Sequence, residues 1–230
     1  MTSPCRTLRA LFLVESLDLE RATSFDGARW EHFQLEHLND DSTFRIENKS
    51  RQIAWSWLSA AEAVAEAILD GRSSIFISIN LREAKEKIRY AKAVLESLRP
   101  DRRLNLRRDN ELGIEFSNGA RLTSMPARPP RGPTQMNVYL DEFAHAMYDR
   151  DIYKAAFPII SKGGRLRIGS SPRGAGGVFW EVFSESMKEY PGYTRKTTPW
   201  WEVPAFCRNV AKARRMAPTM LTAHRVELFG

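Results

Sequence analysis

Residues 75–100 read IFISINLREAKEKIRYAKAVLESLRP, and this stretch predicts the fold class. Its first five residues form a compact apolar run of the kind found in strands buried on both faces. Asn80 stands where a helix N-cap is expected, with Glu83 three residues later, close to a capping box. The helix that follows has an apolar face and ends at Pro100. The apolar positions of that helix are Leu81, Ala84, Ile88, Ala91, Leu95 and Leu98. A buried strand followed by an amphipathic helix is the unit of a mainly parallel α/β sheet.

Similar elements lie on both sides of this unit. The apolar patterns predict strands at 43–46, 136–140 and 166–169, and helices at 8–17 and 30–38. The second of these helices places Phe33, Leu35 and Leu38 toward a core. A further helix carries Leu58, Ala61, Ala65 and Ile68 at helical spacing, and Gly71 closes it. Residues 114–122 predict a hairpin, because Asn118-Gly119 accepts the positive φ angles of a tight turn.

Composition narrows the class of protein. The 230 residues are 43% apolar, enough for a sizeable core, and carry a formal net charge of +7, which suits a polyanionic partner. Two cysteines, Cys5 and Cys207, exclude a disulfide scaffold and a cysteine metal cluster. No apolar run approaches the roughly 18 residues of a membrane span. We therefore expect a soluble intracellular protein without a membrane partner.

Three polar segments follow predicted strands, where α/β sheets bind their ligands. The first, residues 49–56, reads KSRQIAWS and precedes a helix. The usual phosphate-binding frame would need glycine at 49 and 54 and lysine at 55, so only Ser56 obeys it. The cations Lys49 and Arg51 lie instead near the start of the loop. By its residues alone, the segment is either a phosphate loop or a basic turn before a helix.

The other two segments are Asp141-Glu142 after the strand at 136–140, and Ser170-Ser171 after the strand at 166–169. Adjacent carboxylates at a strand end suit magnesium-assisted phosphoryl transfer, although a solvated strand end is the alternative. Small hydroxyl residues at a strand end can lie beside a γ-phosphate, although the same residues are also typical of an ordinary Ser-Pro-Gly turn.

Taken in order, the three segments resemble the ATPase domain of the large terminase subunit, the DNA-packaging motor of tailed bacteriophages. Residues 49–56 resemble the branch whose phosphate loop carries its lysine early. Residues 138–145, VYLDEFAH, resemble the family's second nucleotide motif, and residues 169–174, GSSPRG, its coupling motif. The resemblance covers residues 30–201. It implies an α/β fold, a P-loop NTPase-like three-layer sandwich with a mainly parallel central sheet.

The resemblance also implies an ATP site with Mg²⁺. The ATP-binding residues would be Gln34, which matches an adenine-reading glutamine, and Lys49, Ser50, Arg51, Gln52, Ile53, Ala54, Trp55 and Ser56. Lys49, helped by Arg51, would neutralise the β- and γ-phosphates, and Mg²⁺ would lie between Ser56 and Asp141. Glu142 would activate the attacking water. Ser170 and Ser171 would couple the γ-phosphate to a DNA-gripping surface.

Arg131 and the stretch 82–109 complete the implied motor. Arg131 matches an Arg-Gly step of the family. It is the candidate arginine that stabilises the transition state of hydrolysis, either within its own chain or in a neighbouring subunit of a homo-oligomeric ring. The equal alternative is that Arg131 is a salt-bridged loop residue. Residues 82–109 hold ten Lys or Arg against five Asp or Glu, which suits double-stranded DNA or simply a solvated helix face. The small terminase subunit and the portal ring are further implied partners, in the cytoplasm of the bacterial host.

Two departures from the family pattern bear on activity. Ala54 replaces a glycine, and alanine tolerates positive φ poorly, so we expect a distorted loop or one with negative φ. After Pro204 the only carboxylate side chain is Glu227, so a two-metal nuclease site is not expected from this chain. We divide the chain into an N-terminal extension (1–29), an ATPase domain (30–204) and a segment leading toward an absent nuclease domain (205–230).

Two other functions stay open at this stage. The chain is alternatively a non-catalytic terminase remnant that binds DNA or partner subunits, or another P-loop ATPase of the helicase type. It could also be an expressed fragment, a truncated gene or one part of a split gene. DNA binding that weakens with salt fits both the motor and the remnant, so magnesium-dependent ATP binding is the discriminating property.

Overall fold

A central eight-stranded sheet organises the computed structural model, which describes residues 5–130, 134–184, 190, 192–204, 206–207 and 209–216. The strands are β1 (Phe44–Lys49), β2 (Ser74–Ser78), β3 (Leu106–Asn110), β4 (Gly113–Phe116), β5 (Arg121–Pro126), β6 (Asn137–Asp141), β7 (Leu166–Ser170) and β8 (Tyr193–Thr198). Their order across the sheet is β3-β4-β5-β2-β6-β7-β1-β8. Only the β3–β4 and β4–β5 pairs of these strands are antiparallel. The mainly parallel sheet expected from the sequence is confirmed.

Helices cover both faces of this sheet. They are α1 (Leu8–Ser16), α2 (Leu19–Thr23), α3 (His32–Asn39), α4 (Trp55–Asp70), α5 (Leu81–Ser97), α6 (Asp149–Ile160), α7 (Gly177–Ser184) and α8 (Val210–Met216). One core joins α1, α4 and α5 to the face of the sheet that carries Phe76 and Tyr139. A second core joins α6 and α7 to the opposite face, through Ile77 and Leu140. Because strand side chains alternate between faces, the fully buried strands β2, β6 and β7 supply apolar side chains to both cores, and three layers result.

The parallel strands bring their carboxyl ends to one edge of the sheet. Lys49 ends β1, Asp141 ends β6 and Ser170 ends β7, and β7 pairs with both of the other strands. The three polar segments of the sequence are therefore neighbours in space. No helix among the described residues has the length and apolar character that crossing a bilayer requires.

Strand β1 is longer than the sequence predicts. The apolar pattern ends it at Ile46, whereas the strand continues to Lys49, so the predicted phosphate loop begins inside the sheet. Its polar side chains are buried beneath α4: Arg45 pairs with Glu62 at 2.7 Å and with Glu47 at 2.9 Å. Burial alone would raise the pKa of Glu47, but His37 and Arg45 outweigh it and lower the pKa to about 2. Buried ion pairs thus allow a polar stretch to remain a strand.

Three smaller expectations need correction or stay open. In the hairpin, Gly119 has a positive φ of 90°, but Asn118 does not. The side-chain amide of Asn118 instead donates a hydrogen bond to the Ala67 carbonyl oxygen at 2.8 Å. Leu81 is half exposed rather than part of the α5 apolar face. Helix α1 is confirmed and packs against α4, but the division at residues 29 and 204 stays a prediction. The sequence patterns did not predict α2, β3, α6, α7 or β8.

Candidate active site

The loop between β1 and α4 has an unusual backbone. Lys49 is the last residue of β1, and the Ser50 amide donates to the Thr198 carbonyl of β8 at 2.9 Å, which ties the start of the loop to the sheet. Gln52 and Ala54 then adopt φ angles of 61° and 57°. Ala54 is the N-cap of α4, and its methyl group cannot accept a hydrogen bond from the first turn. The free N–H groups of a helix start attract anions.

The conformation of Ala54 corrects one expectation. The negative-φ loop considered for this alanine is not found, since Ala54 lies in the left-handed region at φ 57° and ψ 23°. For a residue with a Cβ atom this conformation costs roughly 1–2 kcal/mol. Alanine therefore retains the backbone that a glycine would favour, with local strain.

We expect Ala54→Gly to stabilise the protein by about 0.5–1 kcal/mol, because glycine adopts positive φ without strain and this gain exceeds its greater flexibility when unfolded. Thermal unfolding should show a rise in Tm of a few degrees at most. Ala93→Gly, in the middle of helix α5, is the matched control and should lower Tm. A lower Tm for both variants would contradict strain at Ala54.

Asp141 lies at the end of β6 among cations and a hydroxyl donor. Ser56 Oγ donates to Asp141 Oδ2 at 2.5 Å, and Lys87 of α5 forms an ion pair with the same oxygen. Burial alone would raise the pKa of Asp141, but Lys87 and Lys49 outweigh it, so the pKa is lowered and the carboxylate is ionised. A hydroxyl and an ionised carboxylate at this separation are oxygen ligands of the type that Mg²⁺ takes beside nucleotide phosphates. The residues present therefore fit the expected metal.

Glu142 links all three polar segments. It adopts φ 50°, an uncommon value that turns its side chain away from the strand direction. One carboxylate oxygen, Oε1, accepts from Lys49 Nζ at 2.6 Å. The other, Oε2, accepts from both the amide and the hydroxyl of Ser171 at 3.1 Å, with Ser170 Oγ at 3.4 Å. The carboxylate is thus held at the centre of the strand-end edge.

Trp55 occupies the position where the usual loop would carry lysine. Its side chain is 3% exposed, and the indole lies against Gly169 of β7, where an added Cβ atom would come within 2.3 Å of Trp55 Cε2. Lys49 Nζ lies 5.9 Å from the centre of the Trp55 ring. The indole therefore packs the first turn of α4 against the sheet, and the cation beside it is Lys49 of β1.

A cavity of about 640 Å³ opens above these groups. Of the residues predicted to bind ATP, its walls include Gln34, Lys49, Gln52, Ile53, Ala54, Trp55 and Ser56, and Glu142 also contributes. Its volume lies in the usual range for small-molecule sites. Arg51 is exposed and does not line the cavity, so its expected help to Lys49 has no support in this geometry. Arg131 lies outside the described residues.

Two features of the site were missed by sequence reasoning. Lys87 was absent from the predicted site, although it interrupts the apolar face of α5 between Ala84 and Ala91, and a charge at such a position is a usable signal. Gly169 was part of the predicted coupling motif, but no role of its own was predicted for it. Its role depends on the approach of Trp55, which no local pattern encodes.

Comparisons with known proteins identify the family and the fold of this chain. The sequence profile described as "Terminase large subunit, T4likevirus-type, N-terminal" matches residues 46–198. A comparison with curated protein sequences finds no match. Among solved structures, the large terminase ATPase domain of Thermus phage P74-26 aligns with a TM-score of 0.62 at 20% identity, over 91% of this chain and 97% of that one.

Two longer relatives extend the comparison. The large terminase of bacteriophage HK97 aligns with a TM-score of 0.65 at 10% identity, over 96% of this chain and 54% of that one. The large terminase of a thermophilic bacteriophage, solved in complex with ATP-γ-S, aligns with a TM-score of 0.59 at 14% identity, over 95% and 51%. This chain thus spans about half the length of these two large terminases. The structural matches share its mixed α/β fold of P-loop NTPase type, and the profile match shows that the chain belongs to the family of terminase large subunits, in the T4-type N-terminal region.

Proposed function

We propose that this chain is the ATP-hydrolysing motor domain of a terminase large subunit, which moves double-stranded DNA into a procapsid. The observation that carries the proposal is the pair of contacts across the strand ends, Lys49 to Glu142 at 2.6 Å and Ser56 to Asp141 at 2.5 Å. They place the two carboxylates opposite the loop before α4, as a shared triphosphate pocket requires.

The phosphates would lie against the loop of residues 49–56. The start of α4 supplies N–H groups, and Lys49 supplies the positive charge. Lys49 would exchange its contact with Glu142 for the β- and γ-phosphates. That exchange would leave Glu142 free to accept a proton from water, so substrate binding itself prepares the base.

Ser56 and Asp141 would hold Mg²⁺, which supplies charge neutralisation for the phosphate oxygens when bound. Their mutual hydrogen bond already brings both oxygens to one point beside the cavity. The thermophilic-phage large terminase in complex with ATP-γ-S supports nucleotide binding by this family.

The adenine base fits a second cavity of about 470 Å³ that adjoins the first. Its walls include the apolar side chains of Phe25, Phe33 and Val203, and Gln34 lines both cavities. Gln34 Oε1 accepts from the Glu31 amide at 3.0 Å, and this contact fixes the amide group where the cavities meet. A cavity with aromatic and aliphatic walls and one oriented amide suits a purine.

Glu142 would couple the γ-phosphate to the loop that follows β7. Ser171 contacts the Glu142 carboxylate by both its amide and its hydroxyl, and Ser170 Oγ accepts from the Ala144 amide at 3.1 Å. Any movement of Glu142 during hydrolysis would therefore be transmitted to the loop after β7. We assign to this loop the transfer of motion toward the DNA.

The DNA contact is proposed for the exposed edge strand β3, where Arg107 and Arg108 face solvent. Lys85 and Lys92 of α5 are in contrast paired with Glu111 and Asp109, so much of the basic stretch 82–109 is internally compensated. By membership of the family, we further propose a homo-oligomeric ring, a small terminase subunit and a portal ring as partners, in the host cytoplasm. Arg131 stays the predicted transition-state arginine.

Magnesium-dependent binding of ATP is the decisive measurement. Isothermal titration should detect ATP binding that weakens when Mg²⁺ is removed. Lys49→Met should weaken it by about 10- to 100-fold, because a charge-assisted contact to phosphate is lost. Lys85→Met is the matched control and should bind as the unaltered protein does, since Lys85 is partly exposed, does not line the cavity and pairs with Glu111.

Equal affinity of Lys49→Met and the unaltered protein would contradict the proposed phosphate site. No ATP binding by the unaltered protein would favour the non-catalytic alternative. The left-handed conformation of Ala54 weighs against that alternative, because the loop keeps the backbone expected with glycine.

A further inference from the structure

Lys87 is a buried lysine in a position that the apolar pattern of α5 reserves for the core. Its side chain is 1% exposed, and its neighbours on the same helix face, Ala84, Ile88 and Ala91, are fully or almost fully buried. Lysine is almost never fully buried unless it is paired, because removing an ammonium group from water is costly. A specific partner must therefore hold it.

That partner is the carboxylate proposed to bind the metal. Lys87 Nζ forms an ion pair with Asp141 Oδ2, the same oxygen that accepts from Ser56 Oγ. Within the described residues, Nζ has no well-oriented hydrogen bond to any other acceptor. The ammonium group therefore contacts the carboxylate oxygen that a cation bound by Ser56 and Asp141 would use, while the other oxygen, Oδ1, accepts from the Glu142 amide.

Charges at the strand ends are already balanced in pairs. Lys49 neutralises Glu142, and Lys87 neutralises Asp141. A free divalent cation would be repelled by Lys87 at close range in a poorly solvated site. A divalent cation that arrives with a polyphosphate brings compensating negative charge, so the repulsion is offset.

We propose that Lys87 is a positioning residue that competes with Mg²⁺ for Asp141 Oδ2, so that this site takes the metal together with a nucleotide polyphosphate and not alone. The inference rests on the proposed function only in taking Asp141 as the metal carboxylate. In this role, Lys87 keeps free metal ions from occupying the site before the nucleotide binds.

Binding of Mn²⁺ to the full chain, followed by electron paramagnetic resonance, tests this competition. Without nucleotide, Lys87→Met should bind Mn²⁺ at least about tenfold more tightly than the unaltered protein, because the competing charge is removed. Lys85→Met, at a partly exposed position of the same helix that pairs with Glu111, should leave Mn²⁺ affinity unchanged. Adding Asp141→Asn to Lys87→Met should abolish the gain.

Several outcomes would overturn the inference. Unchanged or weaker Mn²⁺ binding by Lys87→Met would mean that Lys87 only supports the fold. Lys87→Gln provides a second variant that keeps a polar group if the methionine variant does not fold. For the unaltered protein, equal Mn²⁺ affinity with and without ADP would also refute the inference. A gain in Mn²⁺ affinity without any ATP binding would refute the proposed function alone, so the two failures are distinguishable.

Discussion

Glu142→Gln is expected to lower the rate of ATP hydrolysis by about 10²–10⁴, the usual contribution of a positioned general base. Glutamine retains the size of the side chain and can still contact Ser171, but it cannot accept a proton from water. Nucleotide affinity should be retained or increased, because Lys49 loses its ion pair with residue 142 and becomes free for phosphate.

Steady-state hydrolysis and ATP binding must be measured on the same preparations, so that a slower chemical step is distinguished from weaker nucleotide binding. Glu111→Gln is the matched control, because Glu111 is an exposed carboxylate paired with Lys85, far along the chain from the strand ends. It should leave both rate and affinity unchanged. Equal turnover by Glu142→Gln and the unaltered protein would refute the assignment of the base.

Gly169→Ala is expected to destabilise the protein by about 1–3 kcal/mol, as for other insertions into packed sites, and to weaken ATP binding. The new methyl group would lie 2.3 Å from Trp55 Cε2 and 2.4 Å from Cζ2, closer than any real contact. Trp55 is buried and cannot swing into solvent. The first turn of α4 would have to move, and the phosphate loop with it.

Thermal unfolding and ATP titration check this prediction together. Gly176→Ala is the control, because nothing lies within 4 Å of a Cβ atom there and its φ is not positive; its effect should stay within about 0.5 kcal/mol. Trp55→Phe should partly rescue Gly169→Ala, since the benzo ring that meets the new methyl group is removed. Unaltered stability and affinity in Gly169→Ala would contradict the packing of Trp55 against β7.

Much of the fold could be predicted from local patterns. The strand and helix at 75–97 follow from an apolar run, a capping asparagine and helical spacing, and all three are visible in the sequence. Parallel strands with helical connections then require a three-layer arrangement. The end of β1 could not be predicted, because Glu47 and Lys49 look like loop residues. Their partners become visible only in the structure, where His37 of α3 and Arg45 pair with Glu47, and Glu142 pairs with Lys49.

In the candidate site, too, some residues could be predicted from the sequence and others could not. Lys49, Ser56, Asp141 and Glu142 were predicted as a group, because their segments follow predicted strands and, taken in order, resemble the motifs of large terminases. The position of Lys87 on the apolar face of α5 is visible in the sequence, but its partner could not be assigned. The contact with Asp141 joins residues 54 positions apart and depends on how α5 lies on the sheet.

By itself, the sequence determined the α/β class, the order of the three polar segments and the resemblance to large terminases. These depend on residue types at short spacing, which side-chain periodicity translates directly into strands and helices. Only the tertiary structure decided that Ala54 takes left-handed φ, that Trp55 rests on Gly169 and that each carboxylate faces a lysine. These depend on contacts between distant segments, where packing and charge compensation outweigh local preference.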